Sequence, residues 1–375
     1  MTSSDPRPRS APRPPAEVVD ELVAGHRVLI CAGSGGVGKT TVAAALALQA
    51  ARAGRRACVV TIDPARRLAD ALGVGELTND PGLVAGDWAG ELWALMLDTK
   101  ATFDQVVSDQ AENQAQAEAI YANRFYRNIS VALSGTQEYM AMEKLHQLHA
   151  GGRFDLVVVD TPPTRRALDF LDAPGRLTRL LDNRIFRLIM RPTRVGLRAL
   201  NLATQLFLRT VSRVVGSDVV SDAVGFFEAF EGMEQGFRDR AQDVATLLAE
   251  PTTGWVLVTA PRQEAIDEAI YFAERLHQSS VSIDALVVNR IHPRFRPAPD
   301  LGEGGPPPGP LADLVTNLAQ LDALARREEV YVGSVEGRVP EATVLRVPQL
   351  DGEVHDLAAL AAVGDLLRAG PGPRW

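Results

Sequence analysis

Short apolar runs alternate with helix-length segments along most of the chain. The runs are rich in Val, Ile and Leu and are not interrupted by polar residues, which is typical of strands buried on both faces of a sheet. Helix-length segments between such strands predict parallel crossovers. The pattern therefore predicts an α/β fold with a doubly wound, mostly parallel sheet, and its strands are expected at 27–32, 57–62, 91–97, 154–159, 255–259, 283–288 and 330–332.

Two segments lack strand signals, one from about 99 to 150 and the other from about 176 to 250. Apolar residues at helical spacing fill both, so we expect a helical subdomain inserted into the sheet topology. Between 292 and 311, eleven of twenty residues are Pro or Gly, which predicts a flexible surface loop. The expected organisation is a single domain over 19–368, between disordered tails at 1–18 and 369–375.

Composition narrows the class of protein. The 375 residues are 46% hydrophobic and 23% charged, with a net charge of −8, which excludes wholesale disorder and disfavours a dedicated nucleic-acid-binding protein. Because no apolar window is long enough to span a membrane, no transmembrane segment is expected. The cysteine usage described next favours the cytoplasm, with the protein either free or at a membrane surface. Cys31 and Cys58 lie inside apolar runs and are expected to be small buried hydrophobes in a reducing compartment.

The most specific motif is a glycine-rich segment between the first predicted strand and a helix predicted over 40–53. It has the form G-x-x-x-x-G-K-[ST], in which glycines allow backbone N–H groups to turn toward a phosphate. The Lys39 ammonium would bridge β- and γ-phosphate oxygens, and the Thr40 hydroxyl would bind Mg²⁺. The residues predicted to bind ATP are Gly33, Ser34, Gly35, Gly36, Val37, Gly38, Lys39, Thr40 and Thr41.

Two carboxylates follow predicted strands. Asp63 stands at the end of the second strand, where it would orient an attacking water or join a metal shell; the alternative is that it only caps the next helix. Asp160 ends an apolar run, the arrangement in which a carboxylate reaches Mg²⁺ beside a phosphate loop. The candidate catalytic residues are therefore Lys39, Asp63 and Asp160, and the candidate metal ligands are Thr40, Asp63 and Asp160.

Together, the segments GSGGVGKTT, TIDPARRLADAL and VVVDTPPTRRALDFL resemble the three nucleotide motifs of the ArsA/GET family of P-loop ATPases, which have the SIMIBI-type fold. The resemblance implies an eight-stranded, mostly parallel sheet and a nucleotide-dependent dimer. It also implies that Asp63 orients the hydrolytic water and that Asp160 and Thr161 begin a second switch segment. Asn289 would contact adenine and Pro348 would close over the base.

The departures from the family pattern also matter. Ser34 stands where the family has a signature lysine that reaches the partner's phosphates, and serine has neither the length nor the charge for that task. Either hydrolysis is slow in the chain alone, or an arginine substitutes, or a paralogous partner supplies the lysine. The arginines considered are Arg66, Arg165 and Arg166. Other family chemistries need several thiolates or a C-x-x-C motif, so with two cysteines no zinc or metalloid is expected.

The second helical segment has an uneven charge distribution: residues 176–213 carry +8 and residues 214–250 carry −6. One interpretation is an antiparallel helical hairpin whose faces attract. The other is an exposed groove for a hydrophobic or membrane-protein client. The groove would be lined by Phe186, Ile189, Met190, Leu197, Leu200, Phe207, Phe226, Phe227, Phe230 and Met233.

These observations support two functional hypotheses. The first is an Mg²⁺-dependent dimeric ATPase, either a homodimer or a heterodimer with a paralogue, that couples its nucleotide state to movement of the helical subdomain on a client. The second is an ATP-binding scaffold or regulatory subunit with little turnover of its own, paired with a lysine-bearing paralogue.

Overall fold

The computed structural model of the chain describes residues 13–63, 65–124, 136–163, 229–294, 309–310 and 312–370, together with residues 126, 175, 178–179, 222 and 225–226. These residues contain an eight-stranded sheet with the order β3-β4-β2-β5-β1-β6-β7-β8. β3 runs antiparallel to β4, and the other neighbouring pairs are parallel. The predicted α/β class with a doubly wound, mostly parallel sheet is confirmed, as is the number of strands that the family resemblance implies.

The elements follow one another in an α/β order. The strands are β1 (Val28–Gly33), β2 (Arg56–Thr61), β3 (Gly82–Val84), β4 (Glu91–Met96), β5 (Leu156–Asp160), β6 (Thr253–Thr259), β7 (Ala285–Ile291) and β8 (Thr343–Pro348). The helices that the structure describes from end to end are α1 (Pro15–Gly25), α2 (Lys39–Arg52), α3 (Arg67–Leu72), α4 (Thr99–Gln110), α5 (Gln114–Ala122), α6 (Thr136–Ala150), α7 (Glu234–Ala249), α8 (Gln263–Gln278), α9 (Ala312–Glu336) and α10 (Leu357–Ala369).

Helices cover both faces of the sheet. On β1, Leu29 and Cys31 belong to the apolar cluster that α1, α2 and α10 complete, whereas Val28 and Ile30 belong to the cluster beneath α6, α7, α8 and α9. Successive strand residues point to opposite faces, so a strand buried on both sides needs an unbroken apolar run. Both cysteines are buried as predicted, and burial raises the pKa of the Cys58 thiol to about 12.

A third apolar cluster lies apart from the sheet. Residues of α4 and α5 pack there against aromatic side chains from the second predicted helical segment. Phe230, for example, lies 4.9 Å from Phe237 between ring centroids, and Tyr126 lies 6.1 Å from Phe226. The described helical segments therefore include a region with its own core, but α6 and α7 differ from the expectation because they pack on the sheet.

The client-groove prediction is wrong for the groove residues that the structure describes. Phe226, Phe230 and Met233 are 6%, 6% and 1% exposed, because they fill the core between α4 and α5 instead of facing solvent. Phe227 and the predicted groove residues between 186 and 207 lie outside the described residues.

Several predicted strands and tail boundaries also differ from the structure. Residues 330–332, predicted as a strand, lie in α9, and the short strands β3 and β8 were missed. β8 has only partly buried residues at four of its six positions, so it lacks the continuous apolar run that marked the central strands. Residues 15–18, predicted as disordered tail, form the start of α1, and residue 369 ends α10. Most of the predicted loop at 292–311, and residues 1–12 and 371–375, lie outside the described residues.

Candidate functional site

The glycine-rich segment forms a tight loop between β1 and α2. A Cβ at Gly33 would lie 2.0 Å from the carbonyl oxygen of Val258, so β6 leaves no room for a side chain. Gly38 has a φ of +96°, and a Cβ there would lie 2.2 Å from Nδ2 of Asn289. Both glycines are therefore required by close packing, and the second also by its left-handed backbone. Because α2 begins at Lys39, the loop faces the positive end of a buried helix.

Lys39 turns its ammonium back over this loop. Its Nζ donates a hydrogen bond to the carbonyl oxygen of Ser34 at 2.9 Å, and the residue is 8% exposed. Burial lowers the pKa of Lys39, while the carboxylates of Asp160 and Asp63 act in the opposite direction. An ammonium held here, beside the glycine-rich loop, can bind phosphate oxygens.

Asp160 connects the loop to the neighbouring strands. One carboxylate oxygen, Oδ2, accepts hydrogen bonds from the hydroxyls of Thr40 at 2.7 Å and Thr61 at 2.9 Å. The other oxygen, Oδ1, is buried and has no hydrogen-bond partner. Burial raises the pKa of Asp160 to about 6, against the effects of both hydroxyls and Lys39. The structure thus brings together Thr40 and Asp160, two predicted metal ligands that are 120 positions apart in sequence.

A buried carboxylate oxygen without a partner calls for an explanation, since such an atom loses its hydration without compensation. Carboxylate and hydroxyl oxygens are the ligands that Mg²⁺ prefers. The donor set of Thr40 and Asp160 therefore fits Mg²⁺.

Asp63 is engaged with the chain that follows it. Its Oδ1 accepts a hydrogen bond from the backbone N–H of Ala65 at 3.0 Å, and its Oδ2 accepts one from Nη1 of Arg67 at 3.3 Å. The turn before α3 is thus held by this carboxylate. The alternative that Asp63 caps the helix is wrong, because the N-cap residue of α3 is Arg66 and no side chain caps that helix. Asp63 also lines the pocket described below, so a structural role at the turn and a functional role in the pocket are compatible.

The far end of the site is formed by the ends of β7 and β8. Nδ2 of Asn289 donates to the carbonyl oxygen of Val37 at 2.8 Å, and its Oδ1 accepts from the backbone N–H of Arg290 at 2.9 Å. Asn289, expected from the resemblance to contact adenine, thus contacts the phosphate loop itself. Pro348, the residue expected to close over the base, is opposite Ile291 in the strand register and lies at the same end.

These elements enclose a pocket of about 670 Å³, within the range of sites for small ligands. Its lining includes most of the predicted site residues, namely Gly35, Gly36, Gly38, Lys39, Thr40, Thr41, Asp63, Asp160, Asn289 and Pro348. Gly33, Ser34 and Val37 contribute to the loop without lining the pocket. Lining residues that sequence reasoning missed include Arg67, Asp70, Arg290, Gln349, Leu350, Glu353 and His355. They come from α3, from the end of β7 and from the loop after β8, whose approach to the site only the folded chain shows.

The arginines considered as substitutes for a lysine have different positions. Arg66 is exposed and does not line the pocket, whereas its neighbour Arg67 does. Arg165 and Arg166 lie outside the described residues. Ser34 has a buried hydroxyl with no hydrogen-bond partner, and the residue is 7% exposed.

A contact links the pocket to the start of α6. Nε2 of Gln137 donates to the carbonyl oxygen of Ile62 at 3.0 Å, directly before Asp63. The next residue, Glu138, is buried, so the first turn of α6 is fixed in the core. The loop that carries Asp63 is therefore hydrogen-bonded to α6, which lies on the face of the sheet opposite to α2 and α3.

Comparisons with known proteins show what the chain as a whole is similar to. A family model described as anion-transporting ATPase matches residues 26–298. The chain is 24% identical to an ATPase get3 of Schizosaccharomyces japonicus over 336 residues, 89% of this chain and 90% of that protein. It is 22% identical to a putative arsenical pump-driving ATPase of Chlorobaculum tepidum over 347 residues, 89% of this chain and 73% of that protein. It is 30% identical to an uncharacterized protein of Streptomyces coelicolor over 276 residues, 72% of this chain and 64% of that protein.

Among the helices that the structure describes, none is both long enough and apolar enough to cross a membrane.

Proposed function

Since this chain belongs to the anion-transporting ATPase family and is accordingly an ATP-binding ATPase, we propose that it hydrolyses ATP with Mg²⁺ in the pocket between the glycine-rich loop, α3 and β8. We further propose that it works as a dimer whose nucleotide state moves the helical region on a hydrophobic or membrane-protein client.

The single observation that carries the proposal is the contact between Thr40 and Asp160. Oδ2 of Asp160 accepts the Thr40 hydroxyl, and Oδ1 is left buried without a partner directly beside the phosphate loop. A metal next to this oxygen would lie where the loop directs a triphosphate. Mg²⁺ bound there would supply positive charge to the phosphate oxygens during hydrolysis.

The residues of the chain would share the remaining work. Backbone amides of residues 35–38 and the Lys39 ammonium would bind the β- and γ-phosphates. Asp63 would accept a hydrogen bond from the attacking water and orient it. In the reaction, the water oxygen bonds to the γ-phosphorus, the bond from that phosphorus to the β–γ bridging oxygen breaks, and the water proton ends on the released phosphate.

Coupling to the helical region is supported by two features. The hydrogen bond from Gln137 to the Ile62 carbonyl joins α6 to the loop that carries Asp63. Phe103 of α4 packs against the apolar cluster of α4 and α5 and also against the sheet cluster beneath α6, so the helical region contacts the sheet core directly. Size-exclusion chromatography with light scattering tests the dimer, since Mg²⁺ and the non-hydrolysable ATP analogue AMPPNP should double the mass.

The ATP-binding scaffold is the second candidate. It is favoured by Ser34, whose buried neutral hydroxyl gives the phosphate loop no cation besides Lys39. A single-turnover phosphate-release assay separates the two functions. Phosphate release by the chain alone supports the hydrolase, whereas release only after a lysine-bearing paralogue is added supports the scaffold.

The direct test of the site is Lys39→Ala in isothermal titration calorimetry with MgATP. Binding should fall below detection, because the substitution removes the buried ammonium that faces the phosphates. Lys100→Ala is the matched control, since Lys100 is half-exposed and pairs with Asp104 on α4, away from the pocket. Unchanged MgATP affinity in the Lys39 variant would contradict the proposed site.

A further inference from the structure

The positive charges of the pocket are unevenly placed. Among its described lining residues, the Lys and Arg side chains are Lys39, Arg67 and Arg290. Arg290 stands beside Asn289 at the end of β7, next to β8. Lys39 and Arg67 lie at the other end, around Asp63 and Asp160. The end that would hold the terminal phosphate therefore has two cations, one from the glycine-rich loop and one from the first residue of α3.

Arg67 is held by a contact that is easily exchanged. Its Nη1 lies 3.3 Å from Oδ2 of Asp63, in an ion pair between residues four apart. The Arg67 side chain is 66% exposed, and exposed pairs of this kind contribute little to stability. A phosphate group offers a guanidinium two parallel charge-assisted hydrogen bonds, which are stronger. A bound terminal phosphate would thus compete well for Arg67.

The same contact occupies Asp63. Its Oδ1 accepts the Ala65 N–H and its Oδ2 accepts Arg67, so both oxygens are engaged. A carboxylate that must orient a water needs an oxygen facing that water. Departure of Arg67 would free Oδ2 while the Ala65 bond kept the turn in place.

We propose that Arg67 is a terminal-phosphate-binding residue that pairs with Asp63 until ATP binds and then transfers its guanidinium to the γ-phosphate, freeing Asp63 to orient the attacking water. The inference rests on the proposed ATPase function and deepens it. It assigns discrimination between ATP and ADP to α3, because only a triphosphate presents the group that draws Arg67 away. The bonds that form and break during hydrolysis stay the same, and Arg67 stabilises the negative charge on the γ-phosphate oxygens.

The test compares the affinities of AMPPNP and ADP, each with Mg²⁺, for the unsubstituted chain, Arg67→Ala, Arg67→Lys and Arg66→Ala. Arg66→Ala is the matched control, because Arg66 is the neighbouring exposed arginine and does not line the pocket. Thermal unfolding of each variant checks that the fold is kept. Single-turnover phosphate release gives the rate of the chemical step.

Arg67→Ala should weaken AMPPNP binding about tenfold and leave ADP binding within about twofold, since only the triphosphate loses a charged contact. Phosphate release should slow about 10²- to 10³-fold, the usual effect of removing one group that stabilises the transition state. Arg67→Lys should recover only part of this rate, because an ammonium cannot form the paired contact. Arg66→Ala should behave as the unsubstituted chain does.

Two contrary results have different meanings. If the unsubstituted chain binds nucleotides and Arg67→Ala keeps its preference for AMPPNP over ADP, the role of Arg67 is refuted and the proposed function stands. If the unsubstituted chain binds neither nucleotide, both proposals are overturned.

Discussion

Substitution of Asn289 tests whether its side chain contacts adenine or supports the glycine-rich loop. The family resemblance implies contact with adenine, whereas the structure has Asn289 hydrogen-bonded to the phosphate loop through the carbonyl oxygen of Val37. We expect Asn289→Ala to weaken binding of the phosphates themselves, including inorganic triphosphate, which has no base.

The magnitude follows from one lost hydrogen bond to the loop. The substitution removes the 2.8 Å bond from Asn289 to the Val37 carbonyl, at a residue that is 9% exposed. The other bond of this side chain, from the Arg290 N–H, is local to the end of β7 and does not reach the loop. A hydrogen bond contributes about 1 kcal/mol net, so if binding has to restore the order of the loop, the affinity falls about fivefold.

Isothermal titration calorimetry with Mg²⁺-triphosphate and with MgATP measures both affinities. Pro348→Ala is the control at the base end, where it should weaken MgATP binding and leave triphosphate binding unchanged, since Pro348 makes no hydrogen bond to the loop. The reasoning is refuted if Asn289→Ala reduces MgATP affinity but binds inorganic triphosphate as the unsubstituted chain does.

Three further predictions concern the metal, an ion pair at the amino-terminal ends of the central strands β2 and β5, and the helical region. Asp160→Asn should retain metal-free ADP binding but lose the gain in ATP affinity on adding Mg²⁺, measured by calorimetry; a normal Mg²⁺ response would contradict the ligand role of this carboxylate. Hydrogen bonds from Arg56 lower the pKa of Asp155 to about 2, below its value in the unfolded chain. The pair therefore stabilises the fold above about pH 4, and this contribution is lost as the pH falls toward 2. Asp155→Asn should therefore lower the free energy of unfolding by about 1 kcal/mol at neutral pH, after discounting for a 38% exposed side chain, and by less at pH 3 in urea titrations; an equal loss at both pH values would contradict the assignment. Phe230→Ala should cost about 3 kcal/mol in thermal or urea unfolding of the helical region, because the ring is buried between Phe226 and Phe237, while ADP binding persists; a loss below 1 kcal/mol would indicate an exposed ring.

The sequence predicted the structure best where the residue pattern of a single segment fits only one environment. The apolar runs of the central strands predicted the sheet because each residue of β1 is buried on one face or the other. It failed where the same pattern fits two environments. The apolar residues 330 and 332 suit a strand or a helix, and in α9 the first is 71% exposed while the second is buried.

The same limitation explains the groove prediction. Phe226 and Phe230 have the spacing of an exposed apolar stripe and equally that of a core, and only the approach of α4 and α5 decides between these alternatives. Arg67 could not be told from Arg66 in the sequence, since both follow Asp63 in one turn. The direction in which α3 leaves that turn gives one arginine a place in the pocket and leaves the other in solvent.

The amino-acid sequence alone determined the α/β class, the glycine-rich loop and the residue types suited to binding a phosphate, because backbone freedom, helix start and burial are local properties of a few consecutive residues. Tertiary structure alone decided that Asp160 meets Thr40, that Asn289 supports the loop and that Arg67 faces Asp63. The first two contacts join residues that are 120 and 252 positions apart, and they depend on strand register and packing, which no local pattern specifies. The third joins residues four apart, and it depends on the direction in which α3 leaves its turn.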